Sequence, residues 1–147
     1  MLEIHEVMEE DLPDIERLEQ NIFPDPWSRK GLQDTWNQAH ALILGAWQEE
    51  KLVGYLIFYH VLDEGEIARI AVEETRRCHG VAGRMMEELF CCCERDGITK
   101  IMLDVRESNS VAIRFYRRHG FAEDGIRKKY YENPTENAIL MSLETGR

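Results

Sequence analysis

The segment "EIARIAVEETRRCHGVAGRMMEEL", Glu66 to Leu89, constrains the fold of this chain more than any other. Its first seven residues are an apolar run rich in β-branched side chains, which reads as a strand. A charged link follows, and then the small residues Gly80, Ala82 and Gly83 stand among Arg76, Arg77 and Arg84. Met85, Met86, Leu89 and Phe90 recur at helical spacing up to Gly97, a helix-stop signal. Strand, small-residue turn and helix together make an anion site, because the first helical N–H groups lack intrahelical acceptors and the helix dipole is positive there. The turn spells R-x-x-G-x-A from Arg77 to Ala82. It lacks the Lys and Ser/Thr of a Walker loop and the three spaced glycines of a dinucleotide fingerprint. The backbone from Cys78 through His79, Gly80, Val81 and Ala82 to Gly83 can instead approach phosphate oxygens closely.

The rest of the chain alternates between the two periods. "LEIHEV" reads as a strand, and "EEDLPDIERLEQNIF" as a helix with Leu12, Ile15 and Leu18 on one face and Asp11 or Asp14 near its start. The rigid turn "FPDPWS" ends that helix and leaves Ser28 to cap "RKGLQDTW". "ALILGAW" and "KLVGYLIFYHV" form a hairpin, and "KIMLDV" a later strand. "SNSVAIRFYRRHG" is a helix closed by Gly120, and "FAEDGIRKKYY" and "AILMSL" are the last strands. The order β-α-α-β-β-β-α-β-α-β-β predicts an α/β (α+β) protein, a mixed sheet with helices on its faces.

A length of 147 residues predicts one domain, 1–147, and 44% hydrophobic content suffices for a substantial core. No apolar run approaches the roughly 18 residues of a membrane helix, and "MLEIHEVMEED" is acidic where a signal peptide is basic, so a cytoplasmic protein without membrane contact is expected. The cysteines, Cys78 and the run Cys91, Cys92 and Cys93, form no disulfide framework. Consecutive helical residues project about 100° apart, so the run cannot converge on one metal. The five histidines have no metal-ligand spacing either, and no metal is expected. A net charge of −10 argues against binding nucleic acid through its backbone and favours a basic or amine-bearing substrate.

A second constellation is "MLDVRESNSVAIRFYRRHGF". Alternation puts Asp104 on the face opposite Leu103 and Val105. From the residues alone, Asp104 is either a surface or hydrogen-bonded strand aspartate or a proton acceptor, and Tyr116 either a core aromatic or a proton donor.

Taken together, "RRCHGVAGRMMEEL" and "LDVRESNSVAIRFYRRHGF" resemble the acetyl-CoA site of the GNAT N-acetyltransferase superfamily. More narrowly, "FPDPWS", "VLDEGEIARIAV", "LDVRESNSVAIRFY" and "IRKKYY" before "ENAILMSL" resemble the RimI-type ribosomal-protein-alanine N-acetyltransferases over essentially the whole chain. That resemblance implies a twisted, mostly antiparallel sheet of about six to seven strands with about four helices, its fourth and fifth strands splayed. It implies that Ile70, Ala71 and Val72 offer backbone groups to the pantetheine arm of acetyl-CoA, the acetyl donor, that Cys78 to Gly83 cradle its pyrophosphate, and that Asn109 also contacts it. Tyr116 matches the family's general acid and Asp104 the place of its base, where enterobacterial members carry a glutamate that reaches roughly 1.5 Å further. Glu64 and Glu66 are the rival bases, and Trp27, Tyr130 and Tyr131 could frame a peptide N-terminus.

The implied reaction is direct transfer, in a ternary complex, to the N-terminal alanine of a basic small-subunit ribosomal protein. An α-amino group has a pKa of about 7.7–8.0, so a base must remove a proton before attack. A strand N–H near Val72 would steady the carbonyl oxygen, and an acid would protonate the departing thiolate. Lysine side chains, polyamines or other small amines are the alternative acceptors. A non-catalytic acetyl-CoA-binding module is the reading from a different class.

Overall fold

The structure, a computed structural model, describes residues 1–77 and 79–145, so Cys78 of the expected anion-binding turn lies outside the described residues. The chain runs β1 (Leu2–Glu6), a 3-10 turn (Glu9–Asp11), α1 (Leu12–Ile22), α2 (Arg29–Trp36), β2 (Ala41–Gln48), β3 (Lys51–Val61) and β4 (Glu64–Val72). A second 3-10 turn (Glu74–Arg76) leads into α3 (Val81–Asp96), β5 (Lys100–Arg106), α4 (Ser110–Arg118), β6 (Ala122–Tyr131) and β7 (Glu136–Glu144). The strands form one seven-stranded sheet in the order β1-β2-β3-β4-β5-β7-β6. Every neighbouring pair is antiparallel except β4 and β5. No described helix is long and apolar enough to cross a membrane.

Local chemistry sets the helix ends. Ser28 Oγ accepts the Gly31 N–H at 3.0 Å and starts α2 where the proline turn releases the chain. Gly97 takes the left-handed conformation, φ 74°, and stops α3. At α1 the carboxylates do something other than cap. Asp11 turns back to accept the Met8 N–H at 2.8 Å, and Asp14 pairs with Arg17 at 2.8 Å.

Two cores form, one on each face of the sheet. On one side α3 and α4 cover Leu44, Leu56, Phe58, Ile67, Leu103 and Val105 with Met85, Met86, Leu89 and Tyr116. On the other, Leu12, Ile15 and Leu18 of α1 and Leu32 of α2 cover Ile43, Tyr55 and Ile57. Cys92 and Cys93 belong to the first core, whereas Cys91 is exposed.

The helix α3 lies close to β3 because Gly54 leaves room for it. A Cβ at Gly54 would stand 2.9 Å from the Ala71 carbonyl oxygen and 3.3 Å from both Val81 and Met85. Gly54→Ala should therefore lower the unfolding free energy by about 1–3 kcal/mol through overpacking, read from urea denaturation. An unchanged midpoint would contradict this account of the contact.

Candidate active site

The parallel pairing of β4 with β5 is short: Glu64 with Lys100, Gly65 with Ile101 and Glu66 with Met102. Beyond it β4 continues to Val72 and β5 to Arg106 without pairing to each other. Just past the last pair β4 carries a bulge, for Phe58 of β3 faces Ile67 and Ile57 faces Arg69, which leaves Ala68 as the extra residue. A bulge bends its strand, and here the bend coincides with the parting of the strands.

The open edge of β4 follows from its backbone phase. Glu73 donates its N–H to the Val53 carbonyl at 2.7 Å, so the backbone groups of Val72 point away from β3. The Val72 carbonyl accepts Arg77 Nε at 3.1 Å on that side. Ile70 shares the phase of Val72, whereas Ala71 turns its backbone to β3, so of the three residues expected to offer backbone groups to the arm only Ile70 and Val72 present them at the open edge.

Past the open edge comes the glycine turn. Gly80 is the N-cap of α3 at φ +83°, a conformation that favours glycine, and a Cβ there would meet nothing within 4 Å. The first helical bond runs from the Arg84 N–H to the Gly80 carbonyl at 3.0 Å. The N–H groups of Val81, Ala82 and Gly83 precede it and have no acceptor within the helix. Val81 is buried, and Ala82 packs its methyl group against the core below. That placement answers why alanine is tolerated where the motif often has glycine. A Cβ at Gly83 would lie 3.6 Å from His119 Nε2, so this glycine faces the last turn of α4, and His79 is exposed. Free amides on a helix start, beside an unpaired strand edge, fit a long ligand with a phosphate group at one end.

Cross-strand neighbours share a face, and this locates the titratable groups. Glu66 stands opposite Tyr59 and Met102, and Asp104 lies two residues past Met102, so both carboxylates are on the α1 side of the sheet. Partial desolvation pushes the Glu66 carboxyl pKa up from its ordinary value, the negative Asp104 adds to the rise, and Arg127 opposes it. Glu64 is exposed at the start of β4. Tyr116 is buried on the opposite face, against Phe121 with ring centroids 5.6 Å apart. Burial raises the pKa of its hydroxyl, and Tyr131 adds to the rise. The base candidates and the acid candidate therefore lie on opposite faces of the sheet, and Tyr131 is close enough to feel Asp104 and to affect Tyr116.

Asn109 is the N-cap of α4, and its Oδ1 accepts the Ala112 N–H at 3.1 Å, which leaves its amide NH₂ to act elsewhere. Tyr130 and Tyr131 stand edge to face at the end of β6, 5.0 Å between centroids. There the pairing with β7 jumps from Arg127–Ala138 to Tyr131–Glu136, so Lys128, Lys129 and Tyr130 bulge outward. The Tyr131 hydroxyl is pushed up to about 12, by burial first and by Asp104 next.

Two arginines that sequence reasoning passed over hold this scaffold. Arg106 of β5 lies over the Tyr131 ring, 4.5 Å from its centroid, and donates to the Pro134 and Glu132 carbonyls and to Glu136 at 3.0, 2.9 and 3.2 Å. Glu136 in turn accepts the Ser108 N–H at 2.6 Å, one residue before Asn109. Arg69 of β4 meets the fully buried Glu19 with two bonds of 3.0 Å, and Glu19 also accepts the Trp27 N–H at 2.8 Å and the Tyr55 hydroxyl. Position offered a signal for Glu19, which continues the helical stripe of Leu12 and Ile15.

The comparisons with known proteins agree with this geometry. Residues 12–121 match the model of the acetyltransferase (GNAT) family. The [ribosomal protein bS18]-alanine N-acetyltransferase of Escherichia coli strain K12 is 33% identical over 135 residues, covering 90% of each chain. The enzyme of that name from Haemophilus ducreyi is 30% identical over 143 residues, 95% of this chain and 98% of its own. The crystal structure of the E. coli ribosomal-protein-S18-alanine N-acetyltransferase superposes with a TM-score of 0.94 at 32% identity, covering 100% of this chain and 96% of that one. Ard1 from Thermoplasma volcanium shares the fold, with a TM-score of 0.89 at 23% identity over 99% of each chain. The chain belongs to the GNAT acetyltransferase family, and its relatives are of the RimI type.

Proposed function

We propose that this chain is an acetyl-CoA-dependent N-α-acetyltransferase acting on the N-terminal alanine of a small-subunit ribosomal protein, by direct transfer in a ternary complex. The observation that carries the proposal is the placement of carboxylates and a buried phenol on opposite faces of one sheet whose strands β4 and β5 part just past Glu66 and Met102. The curated relatives bear the name of such an activity, and a ribosomal acceptor, being basic, suits a chain of net charge −10.

When bound, acetyl-CoA supplies the thioester. In the proposed mechanism the amides of Val81, Ala82 and Gly83, with the backbone of His79 and Gly80, hold its pyrophosphate, while Ile70, Val72 and Asn109 hold the arm. Asp104 removes a proton from the acceptor amine, through a water molecule where its shorter side chain falls short. The Val72 N–H, pointing away from β3, steadies the negative charge that gathers on the carbonyl oxygen. Tyr116 gives its proton to the departing thiolate, and burial keeps that phenol protonated until then. Trp27, Tyr130 and Tyr131 flank the acceptor, with Glu64 exposed at the paired start of β4.

A second assignment of the base has an observation in its favour. Desolvation and Asp104 move the Glu66 carboxyl toward the operating pH, where a general base works best. Asp104→Asn decides between them. Loss of turnover across the pH profile assigns the base to Asp104, whereas near-normal turnover assigns it to Glu66 and Glu66→Gln then takes the loss. In either case the substitution removes a negative neighbour, so the Glu66 carboxyl should titrate at a lower pH by NMR, and an unchanged or higher value would contradict the coupling.

Tyr116→Phe should lower turnover by about 10²–10⁴-fold while calorimetry gives an acetyl-CoA affinity close to that of the parent. Unchanged turnover would remove Tyr116 from the acid role. The function itself is tested on a panel of amines. Basic peptides with a free N-terminal alanine should be acetylated well ahead of lysine side chains, polyamines and other small amines. Preference for one of those acceptors would overturn the reading, as would acetyl-CoA binding without transfer to any amine.

A further inference from the structure

Strict alternation along β4 would send Arg69 to the α3 and α4 side of the sheet, together with Ile67. The bulge at Ala68 prevents this. Ile67, Ile70 and Val72 pack with the α3 and α4 core, Ala68 and Ala71 pack with the α1 core, and Arg69 reaches Glu19 on α1. Two successive side chains, Ala68 and Arg69, thus leave on one face, the re-aiming that a bulge permits.

Once on that face, Arg69 organises the turn between α1 and α2. Its guanidinium makes the two bonds to Glu19, donates to the Asp25 carbonyl at 3.2 Å and lies over the Phe23 ring, 3.6 Å from the centroid, with Trp27 at 5.8 Å. Glu19 fixes the far end of the same turn through the Trp27 N–H. The carboxylates Glu66 and Asp104 occupy this same face, and Arg69 lies three residues past Glu66 on β4, where that strand has left β5.

We propose that Arg69 is an acceptor-positioning residue: re-aimed by the bulge at Ala68 and locked to Glu19, it holds the Phe23–Trp27 turn as one wall of the site that receives the acceptor's N-terminal residues. The proposal rests on the reading of the chain as an N-terminal acetyltransferase and adds the element that places the acceptor beside the carboxylates. Arg69 itself touches no reacting atom. Its fork holds a carboxylate and a carbonyl and its flat face holds an aromatic ring, and lysine reproduces only the charge.

The test compares the parent protein with Arg69→Met and Arg69→Lys in steady-state transfer to a basic peptide with N-terminal alanine, alongside calorimetric binding of acetyl-CoA. Arg69→Met should lose on the order of 10²-fold in kcat/KM for the peptide, carried mainly by KM, with acetyl-CoA affinity unchanged and the pH profile unmoved. Arg69→Lys should recover part of the loss, and it carries the test alone if the methionine variant fails to fold. A merely structural arginine would lower thermal stability and leave the peptide KM of the folded variants as in the parent, and that result would overturn this proposal alone. Failure of the parent protein to acetylate any N-terminal peptide would overturn the functional reading and this proposal with it.

Discussion

The site depends on a sheet that stops pairing in its middle. Parallel strands without a ladder leave backbone donors and acceptors that must find other partners. In this chain β4 keeps β3 on one side and loses β5 on the other after Glu66 and Met102. The same interruption lies between faces that carry separate cores. In the proposed mechanism a base on one face and an acid on the other serve one reaction at this break in the sheet.

Each of the diverging strands sends out an arginine to build the surroundings of the gap. Arg69 ties β4 to the turn after α1, and Arg106 ties β5 to the β6 and β7 hairpin and, through Glu136, to the start of α4. Glu19 is fully buried, and the desolvation of such a pair costs several kcal/mol that its own attraction only roughly offsets. Its use lies in geometry more than in net stability. The carboxylate is further satisfied by Tyr55 and the Trp27 N–H, so no partner is left to wander.

Much of this was legible in the sequence, for reasons that can be named. The period of the apolar residues gave all the helices and strands in order, and Ser28 and Gly97 marked ends that the structure repeats. The glycine turn at the start of α3 was legible because small residues and helix starts act locally. Asp104 was placed on the correct face by alternation alone. Arg69 was not, since one extra residue at Ala68 shifts the phase and nothing nearby in the sequence announces a bulge. Glu19 could be read as buried from its stripe, but its partners lie 36 and 50 positions away, beyond any local pattern. The parting of the strands was expected through family resemblance, because pairing between distant segments leaves no local signature.

The central claim is that an acetyl group is delivered to a protein's N-terminal amine where β4 and β5 part. Mass spectrometry of N-terminal peptides from the host, with and without this protein, tests it most directly. The account predicts that acetylation disappears from the N-terminal alanine of a basic small-subunit ribosomal protein and returns with the parent protein but not with Tyr116→Phe. An N-terminal acetylation pattern that is the same in both hosts would contradict it.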